Sequence, residues 1–351
     1  MESVKSQSYE VHIGELAEAA LNQHIAKNSY SKIFVLVDEN TKAHCLPFFK
    51  EMFDGPVDFI LEIRSGEENK HIHTCLQLWE DLSNLDGDRK SLLINLGGGV
   101  LTDMGGFVAS TFKRGIDFIN IPTTLLSMVD ASIGGKTGVD LGSLKNQIGV
   151  INQPQMVLIF PEFLKTLDPR QVKSGYAEML KHGLIMDKAY WGSLAEKSNF
   201  TDASCIQKSI ALKNEVVLQD PTEKGLRKIL NFGHTLGHAI ESYCLENHDK
   251  KTLLHGEAIA AGMILEGYLS HKLQGLSKLS LDEIKKTFLT HFDKVDFTDN
   301  DIDAILQLLK YDKKNSHGNV NFVLLHSIGK AVTDIKVPEE LFHKAFAYYK
   351  E

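Results

Sequence analysis

The sequence predicts an α/β domain built on a parallel sheet, followed by a mainly α-helical domain, and three observations lead there. Up to about residue 165, β-branched apolar runs alternate with helix-period stretches, the pattern of βαβ units. Beyond that point strand signals nearly vanish and helix-favouring stretches follow one another. A chain of 351 residues is also too long for one ordinary core. The expected division is therefore 1–165 for the α/β domain and 166–351 for the helical one. A cleft between two such domains is where ligand sites usually form.

The elements follow in order. "KIFVLVDENT" reads as a buried strand running into a polar loop. "HIHTCLQLWEDLSNL" puts Ile72, Cys75, Leu76 and Leu82 at helical spacing. "SLLINLGGGV" is a strand entering a glycine turn, and "DFINIPTTLL" and "QMVLIFPEFL" are further apolar strands. Past residue 165, "DPRQVKSGYAEMLKHGLI", "DASCIQKSIALKNEVVLQD", "NFGHTLGHAIESYC", "LHGEAIAAGMILEGYLSHKL" and "TDNDIDAILQLLKYD" all favour helix. The exception is "NVNFVLLHSIGKAVTD", which suits a small hairpin.

Composition excludes several classes. A net charge of −8 argues against bulk nucleic-acid or membrane binding, and makes any local cluster of Lys and Arg more informative. "MESVKSQSYE" lacks the apolar run of a signal peptide, and no segment has enough uninterrupted apolar residues to span a bilayer. Cys45, Cys75, Cys205 and Cys244 lack C-x-x-C spacing, so reduced packing cysteines in a cytoplasmic protein are expected.

Gly97, Gly98 and Gly99 follow a strand directly. They miss the G-x-G-x-x-G pattern, yet they could let backbone N–H groups approach a pyrophosphate at a helix N-terminus; a ligand-free tight turn is the equal alternative. A second stretch, "VDASIGGKTGVD", carries Lys136 among glycines but fails the Walker spacing, which disfavours ATP hydrolysis. Candidate anion-binding cations sit beside glycines or on short turns (Arg114, Lys136, Lys145 with Asn146) and on helix-like stretches (Lys181, Lys213, Arg227). Singly, each is more often a solvated charge. His234 and His238 lie one helical turn apart, as in zinc proteases, but the glutamate base of that motif is missing. Glu178, His234 and His255 could supply three ligands of a catalytic metal; with 15 histidines in the chain, other triplets remain open.

Taken together, "GGGVLTDMGGF", "FKRGIDFINIPTTLLSMVDASIGGKTGVD", "LKNQIG", "SGYAEMLKHGLI", "LNFGHTLGHAIE" and "LHGEAIAAGM" resemble the 3-dehydroquinate synthase family, in its order and separations. The likeness runs from about Asp38 to "YDKKNSHGNVNFVLL". It implies conversion of 3-deoxy-D-arabino-heptulosonate 7-phosphate to 3-dehydroquinate in the shikimate pathway, with NAD and a divalent metal, zinc or cobalt. By motif, the metal ligands are Glu178, His234 and His255, while His238 and Asn231 face substrate. Substrate anions are assigned to Arg114, Lys136, Lys145, Asn146, Lys181, Lys213 and Arg227, with Lys313 or Lys314 closing the site. Asp130 contacts substrate, and Glu223 matches a conformation-linked acid. NAD contacts are assigned to Asp38, Glu67, Lys70, Gly98, Gly99, Asp103, Thr123, Thr124 and Thr166, with Lys136 and Lys145 shared.

The family often has Asn where this chain has Asp140, and the loop "DLGSL" is unusual in composition; neither departure is expected to touch a residue with assigned chemistry. The implied chemistry is an internal redox cycle with phosphate elimination and aldol closure, and domain closure on substrate goes with it. A homodimer is expected, with a phosphorylated sugar acid as the ligand and no nucleic-acid or membrane partner. The rivals are a cyclase making a valiolone or inosose product, a metal-dependent alcohol dehydrogenase of related fold, and a non-catalytic binding protein.

Overall fold

The computed structural model describes residues 2–142, 144–197, 199–247, 249–315 and 320–351, the side chains of residues 310–315 excepted. The chain divides into two compact units. The first comprises Met1–Asp168 and Thr201–Leu218, the second Pro169–Phe200 and Gln219–Glu351.

In the first unit the elements are β1 (Val4–Lys5), β2 (Glu10–Ile13), α1 (Glu15–Lys27), β3 (Ile33–Asp38), α2 (Glu39–His44), α3 (Leu46–Met52), β4 (Phe59–Ile63), α4 (Ile72–Asn84), β5 (Leu92–Gly97), α5 (Gly99–Thr111), β6 (Asp117–Pro122), β7 (Lys136–Leu141), β8 (Leu144–Ile151) and β9 (Met156–Ile159). Seven strands form one sheet in the order β1-β2-β9-β6-β5-β3-β4. All its ladders are parallel except the edge pair β1–β2. β3, β5 and β9 are buried along most or all of their length, which is why they read as continuous apolar runs rather than alternating ones. Phe34, Leu36, Leu78, Leu93, Met104, Val108 and Phe118 form the core between sheet and helices.

Three expectations change here. On α4 the buried face is Cys75, Leu78 and Leu82, while Leu76 is half exposed. Lys136 of "GGKTG" and Lys145–Asn146 of "LKNQIG", expected beside glycines or on short turns, lie in the strands of the antiparallel pair β7–β8. The segment Thr201–Leu218, expected in the helical domain, joins the first unit as most of α8 (Ala203–Gln219). The cause is tertiary: Gln207 and Asn214 donate to the carbonyls of Glu2 (2.6 Å) and Lys5 (2.7 Å), and Lys213 to that of Asp130 (2.6 Å).

The second unit contains α6 (Pro169–Met186), α7 (Lys188–Ala195), α9 (His234–Glu246), α10 (His255–Leu273), α11 (Lys278–His291), α12 (Asp299–Asn315), the antiparallel hairpin β10 (Asn321–Ser327) and β11 (Lys330–Lys336), and α13 (Glu340–Lys350). α10 is buried nearly all round and packs on α6, α9, α11, α13 and β10. Glycines set how closely it approaches. A Cβ at Gly262 would lie 2.1 Å from the Gly233 carbonyl oxygen, and one at Gly256 2.1 Å from that of Ser174. Only glycine lets these backbones meet, and that contact joins the starts of α9 and α10 to α6. Among the described residues no helix is long and apolar enough to cross a membrane.

Candidate active site

In the second unit, Glu178 on α6, His234 at the first residue of α9 and His255 at the first residue of α10 converge. Glu178 Oε1 lies 3.7 Å from His234 Nε2 and 3.6 Å from His255 Nε2. Those gaps are too long for hydrogen bonds, so the buried Glu178 Oε1 faces the two imidazoles without a hydrogen-bond partner, while Oε2 faces the Lys181 ammonium. Two ligands on a tetrahedral zinc with bonds of about 2.0–2.1 Å sit roughly 3.4 Å apart, so the spacing suits a cation between them.

The outer nitrogens support the same reading. His234 Nδ1 is 3.1 Å from the Phe232 carbonyl oxygen, and His255 Nδ1 is 3.3 Å from Glu241 Oε2. A carbonyl or carboxylate on the far nitrogen is what orients a metal-binding imidazole and fixes its tautomer. Burial, then the nearby Lys181 ammonium, holds His234 well below its usual range. Burial also opposes charge on His255, but the carboxylates of Glu178 and Glu241 lift it to about 9. Glu178 is held well below the carboxylate range: burial acts against this, and Lys181, His234 and His255 outweigh it. The Lys181 ammonium forms an ion pair with Glu178.

His238 is exposed, one turn beyond His234, with ring centroids 5.1 Å apart. Its nitrogen comes within 4.8 Å of those of His234 and His255, so three imidazoles and one buried carboxylate surround this point. The segment leading into α9 gathers three more assigned residues. Asn231 Nδ2 donates to Glu223 Oε1 (2.7 Å), and the buried Arg227 donates to the Pro221 carbonyl (2.7 Å) while its amide bonds Asp220 (3.0 Å).

In the first unit, Asp38, the Gly97–Gly99 turn and Thr123–Thr124 lie at the carboxyl ends of neighbouring strands β3, β5 and β6, the position where open parallel sheets bind ligands. The Thr123 amide bonds the Gly97 carbonyl at 3.0 Å. Gly98 precedes α5 with no side chain capping the helix, which leaves N-terminal amides for an anion. Asp38 caps α2 by accepting from the Thr41 amide at 2.7 Å. Thr166 lies after β9, where its hydroxyl bonds the Phe163 carbonyl at 3.3 Å.

Beside α5, the Lys70 ammonium, buried to 4% exposure, lies 2.7 Å from Asp103 Oδ2 and 2.7 Å from Asn146 Oδ1. Burial alone would lower its pKa, but the carboxylates of Asp103, Glu67 and Asp140 raise it instead. Lys145 Nζ is 3.7 Å from Glu67 Oε1. Asp140 belongs to this network, contrary to expectation: its Oδ1 accepts from the Asn146 amide (2.6 Å), and its own amide bonds the Lys70 carbonyl (2.9 Å). The 53° φ of Asn146 puts it in the left-handed region that this short contact helps to hold. Lys213 pairs with Asp130, within the π-helical turn Ser127–Ala131.

Arg114, at φ 71°, lines a cavity of about 440 Å³ with Asn152, Gln153 and Gln155. Lys136 is exposed at the start of β7. The side chains of Lys313 and Lys314 lie outside the described residues. Sequence reasoning missed Glu241 and the role of Asp140. Glu241 had one signal, its place two turns after His234 on the same helix face.

Comparison with known proteins first gives the class. The structure is similar to 2-deoxy-scyllo-inosose synthase, solved with carbaglucose-6-phosphate, NAD+ and Co2+, at TM-score 0.84 and 25% identity over 99% of both chains. It is similar to the 2-epi-5-epi-valiolone synthase of Streptomyces hygroscopicus, solved with NAD+ and Zn2+, at TM-score 0.81 and 26% identity over 100% and 99% of the two chains. An iron-containing alcohol dehydrogenase shares the fold alone, at TM-score 0.61 and 15% identity over 99% of both chains. The architecture is that of the metal- and NAD-associated cyclases. Within that class, family models for the N-terminal and C-terminal parts of 3-dehydroquinate synthase match residues 60–174 and 175–315. The chain is 41% identical to the 3-dehydroquinate synthase of Parabacteroides distasonis over 95% of its length and 96% of the relative's. For that of Campylobacter jejuni the identity is 38%, over 96% and 95%. The chain belongs to the 3-dehydroquinate synthase family.

Proposed function

We propose that this chain converts 3-deoxy-D-arabino-heptulosonate 7-phosphate to 3-dehydroquinate and phosphate, with NAD and a divalent cation as cofactors. The observation that carries the reading is the convergence of Glu178 Oε1 on two imidazole Nε2 atoms at 3.6–3.7 Å, each imidazole braced through its other nitrogen. When bound, NAD supplies reversible hydride acceptance and the cation supplies Lewis acidity toward substrate hydroxyls. The protein supplies position and field. Glu178, His234 and His255 hold the cation, and Glu241 keeps the lone pair of His255 Nε2 turned inward.

Lys181 and Arg227, both buried in the second unit, are fixed cations that favour an anionic substrate and the negative charge that grows as its C–H is broken. His238 is exposed beside the cluster and is the ring placed to exchange a proton with substrate. In the first unit, the strand-end amides and Lys70 receive the dinucleotide. Lys145 and Lys213, each beside a carboxylate, and Asn146, whose Oδ1 accepts from the Lys70 ammonium, bind substrate oxygens. Arg114 and Lys136 complete the anion contacts, and a cytoplasmic homodimer is part of this reading.

The test supplies the heptulosonate phosphate with NAD far below substrate concentration. Inorganic phosphate should exceed NAD many-fold while no NADH accumulates. Turnover of sedoheptulose 7-phosphate instead would make the chain a valiolone-type cyclase. Stoichiometric NADH would make it an alcohol dehydrogenase, the second rival.

A further inference from the structure

α9 starts with a histidine that must hold its position, yet its own sequence gives it no cap. The residue before it is Gly233, at φ 81°, with no side chain to satisfy the first amides of the helix. The acceptor comes from another helix. Glu266, three turns into α10 and fully buried, takes the Gly233 amide on Oε2 (2.7 Å) and the Leu236 amide on Oε1 (3.0 Å). Among the described residues no Lys, Arg or His pairs with it in an ion pair, so the carboxyl faces helix amides rather than a cation. A buried carboxyl without a cationic partner is costly. Nothing in the packing of α10 asks for one at a site where its neighbours Ile264, Leu265 and Leu269 are buried apolar residues.

We infer that Glu266 is a positioning residue for the metal centre: it clamps the N-terminus of α9 and so fixes His234 relative to Glu178 and His255. The geometry makes the coupling direct. The two clamped amides flank His234 in sequence, and that residue's Nδ1 contact to the Phe232 carbonyl (3.1 Å) belongs to the same turn. The close backbone approach at Gly262 holds α10 against this turn, so the carboxyl reaches it without a long side-chain path. The inference rests on the reading of Glu178, His234 and His255 as metal ligands.

The experiment measures Zn2+ and Co2+ affinity by chelator competition in the wild type, E266Q, E266D and S270A, with NAD affinity measured in parallel. Glutamine keeps the size and one acceptor but turns an NH2 on one of the two amides. E266Q is expected to bind metal about 10-fold or more weakly, E266D to retain more affinity than E266Q, and NAD affinity to stay unchanged because Glu266 lies in the other unit. Ser270, one turn on, bonds the Glu266 carbonyl (2.6 Å) and receives the Leu325 amide of β10 (2.8 Å). S270A should therefore lower the unfolding midpoint while metal affinity holds. A wild type that binds no metal overturns the ligand assignment itself. A wild type that binds one ion, with E266Q or E266D binding it within twofold, overturns the role of Glu266 alone, as does an equal loss in S270A.

Discussion

Replacing Lys70 with methionine tests the network of the first unit most sharply. Methionine keeps most of the stem volume and removes the charge and its donors. Asp103 then loses an ion-pair partner at 2.7 Å, and Asn146 Oδ1 loses a hydrogen bond at 2.7 Å. Removing one partner of a buried pair costs about 3–5 kcal/mol, and the lost hydrogen bond about 1 kcal/mol more. The Asp103 side chain keeps 19% exposure, which places the total near the lower end, at about 3 kcal/mol. The loss should also depend on pH. Burial raises the Asp103 pKa in the folded state, and Lys70 is the main influence pulling it back. Without Lys70 the folded pKa rises further. A raised carboxyl favours folding at low pH, and that contribution disappears as pH climbs through the folded value. The K70M deficit should therefore be smaller at pH 5 than at pH 8, steepening by at most about 1.4 kcal/mol per pH unit. Urea unfolding followed by tryptophan emission reads it, because Trp79 packs on the core of this unit and donates to the Val108 carbonyl (3.2 Å). K70M/D103N should recover more than half of the loss. If K70M costs the same at both pH values and D103N adds its own full penalty, the pair is solvated, and the argument from burial fails.

Other substitutions probe separate links. E241A removes the acceptor on His255 Nδ1 and should weaken metal binding 10- to 100-fold, about 1.4–2.7 kcal/mol, with little change in NAD affinity; isothermal titration reads both. G262A forces a Cβ against the Gly233 carbonyl and should destabilise the second unit by about 1–3 kcal/mol while lowering metal content, checked by calorimetry and metal analysis. K145A should raise the KM for the heptulosonate phosphate and lower turnover without shifting the unfolding midpoint; unchanged kinetics would remove Lys145 from the site. D140N keeps the acceptor for the Asn146 amide and should leave stability within about 0.5 kcal/mol, whereas D140A orphans that amide and should cost about 1–2 kcal/mol in urea unfolding.

The parallel strands were legible because a strand buried on both faces is a short unbroken apolar run, as in "IFVLV" and "LLINL". β7 and β8 were not, since a glycine-rich ladder with Leu141, Leu144 and Ile151 exposed carries no clean alternation. β1 and β2, of two and four residues, are too short to show a period. The return of α8 to the first unit depends on bonds to Glu2, Lys5 and Asp130, which no local pattern encodes. At the site, spacing alone offered Glu178, His234 and His255 only as one triplet among many, since the chain has 15 histidines. Choosing Glu178 as the third partner needed the whole set of motifs, because α6 reaches them only through glycine contacts distant in sequence. Glu241 and Glu266 were hidden for a related reason: a glutamate in a helix reads as a solvated charge until the fold shows what its oxygens accept.

The central claim is that one divalent ion sits among Glu178, His234 and His255. Anomalous diffraction at the zinc or cobalt edge, from crystals grown with NAD and that metal, tests it most directly. The account predicts a single strong peak per chain, about 2.0–2.2 Å from Glu178 Oε and from the Nε2 atoms of His234 and His255. A peak held by His238 in place of Glu178, or no peak at this cluster in active protein, would contradict it.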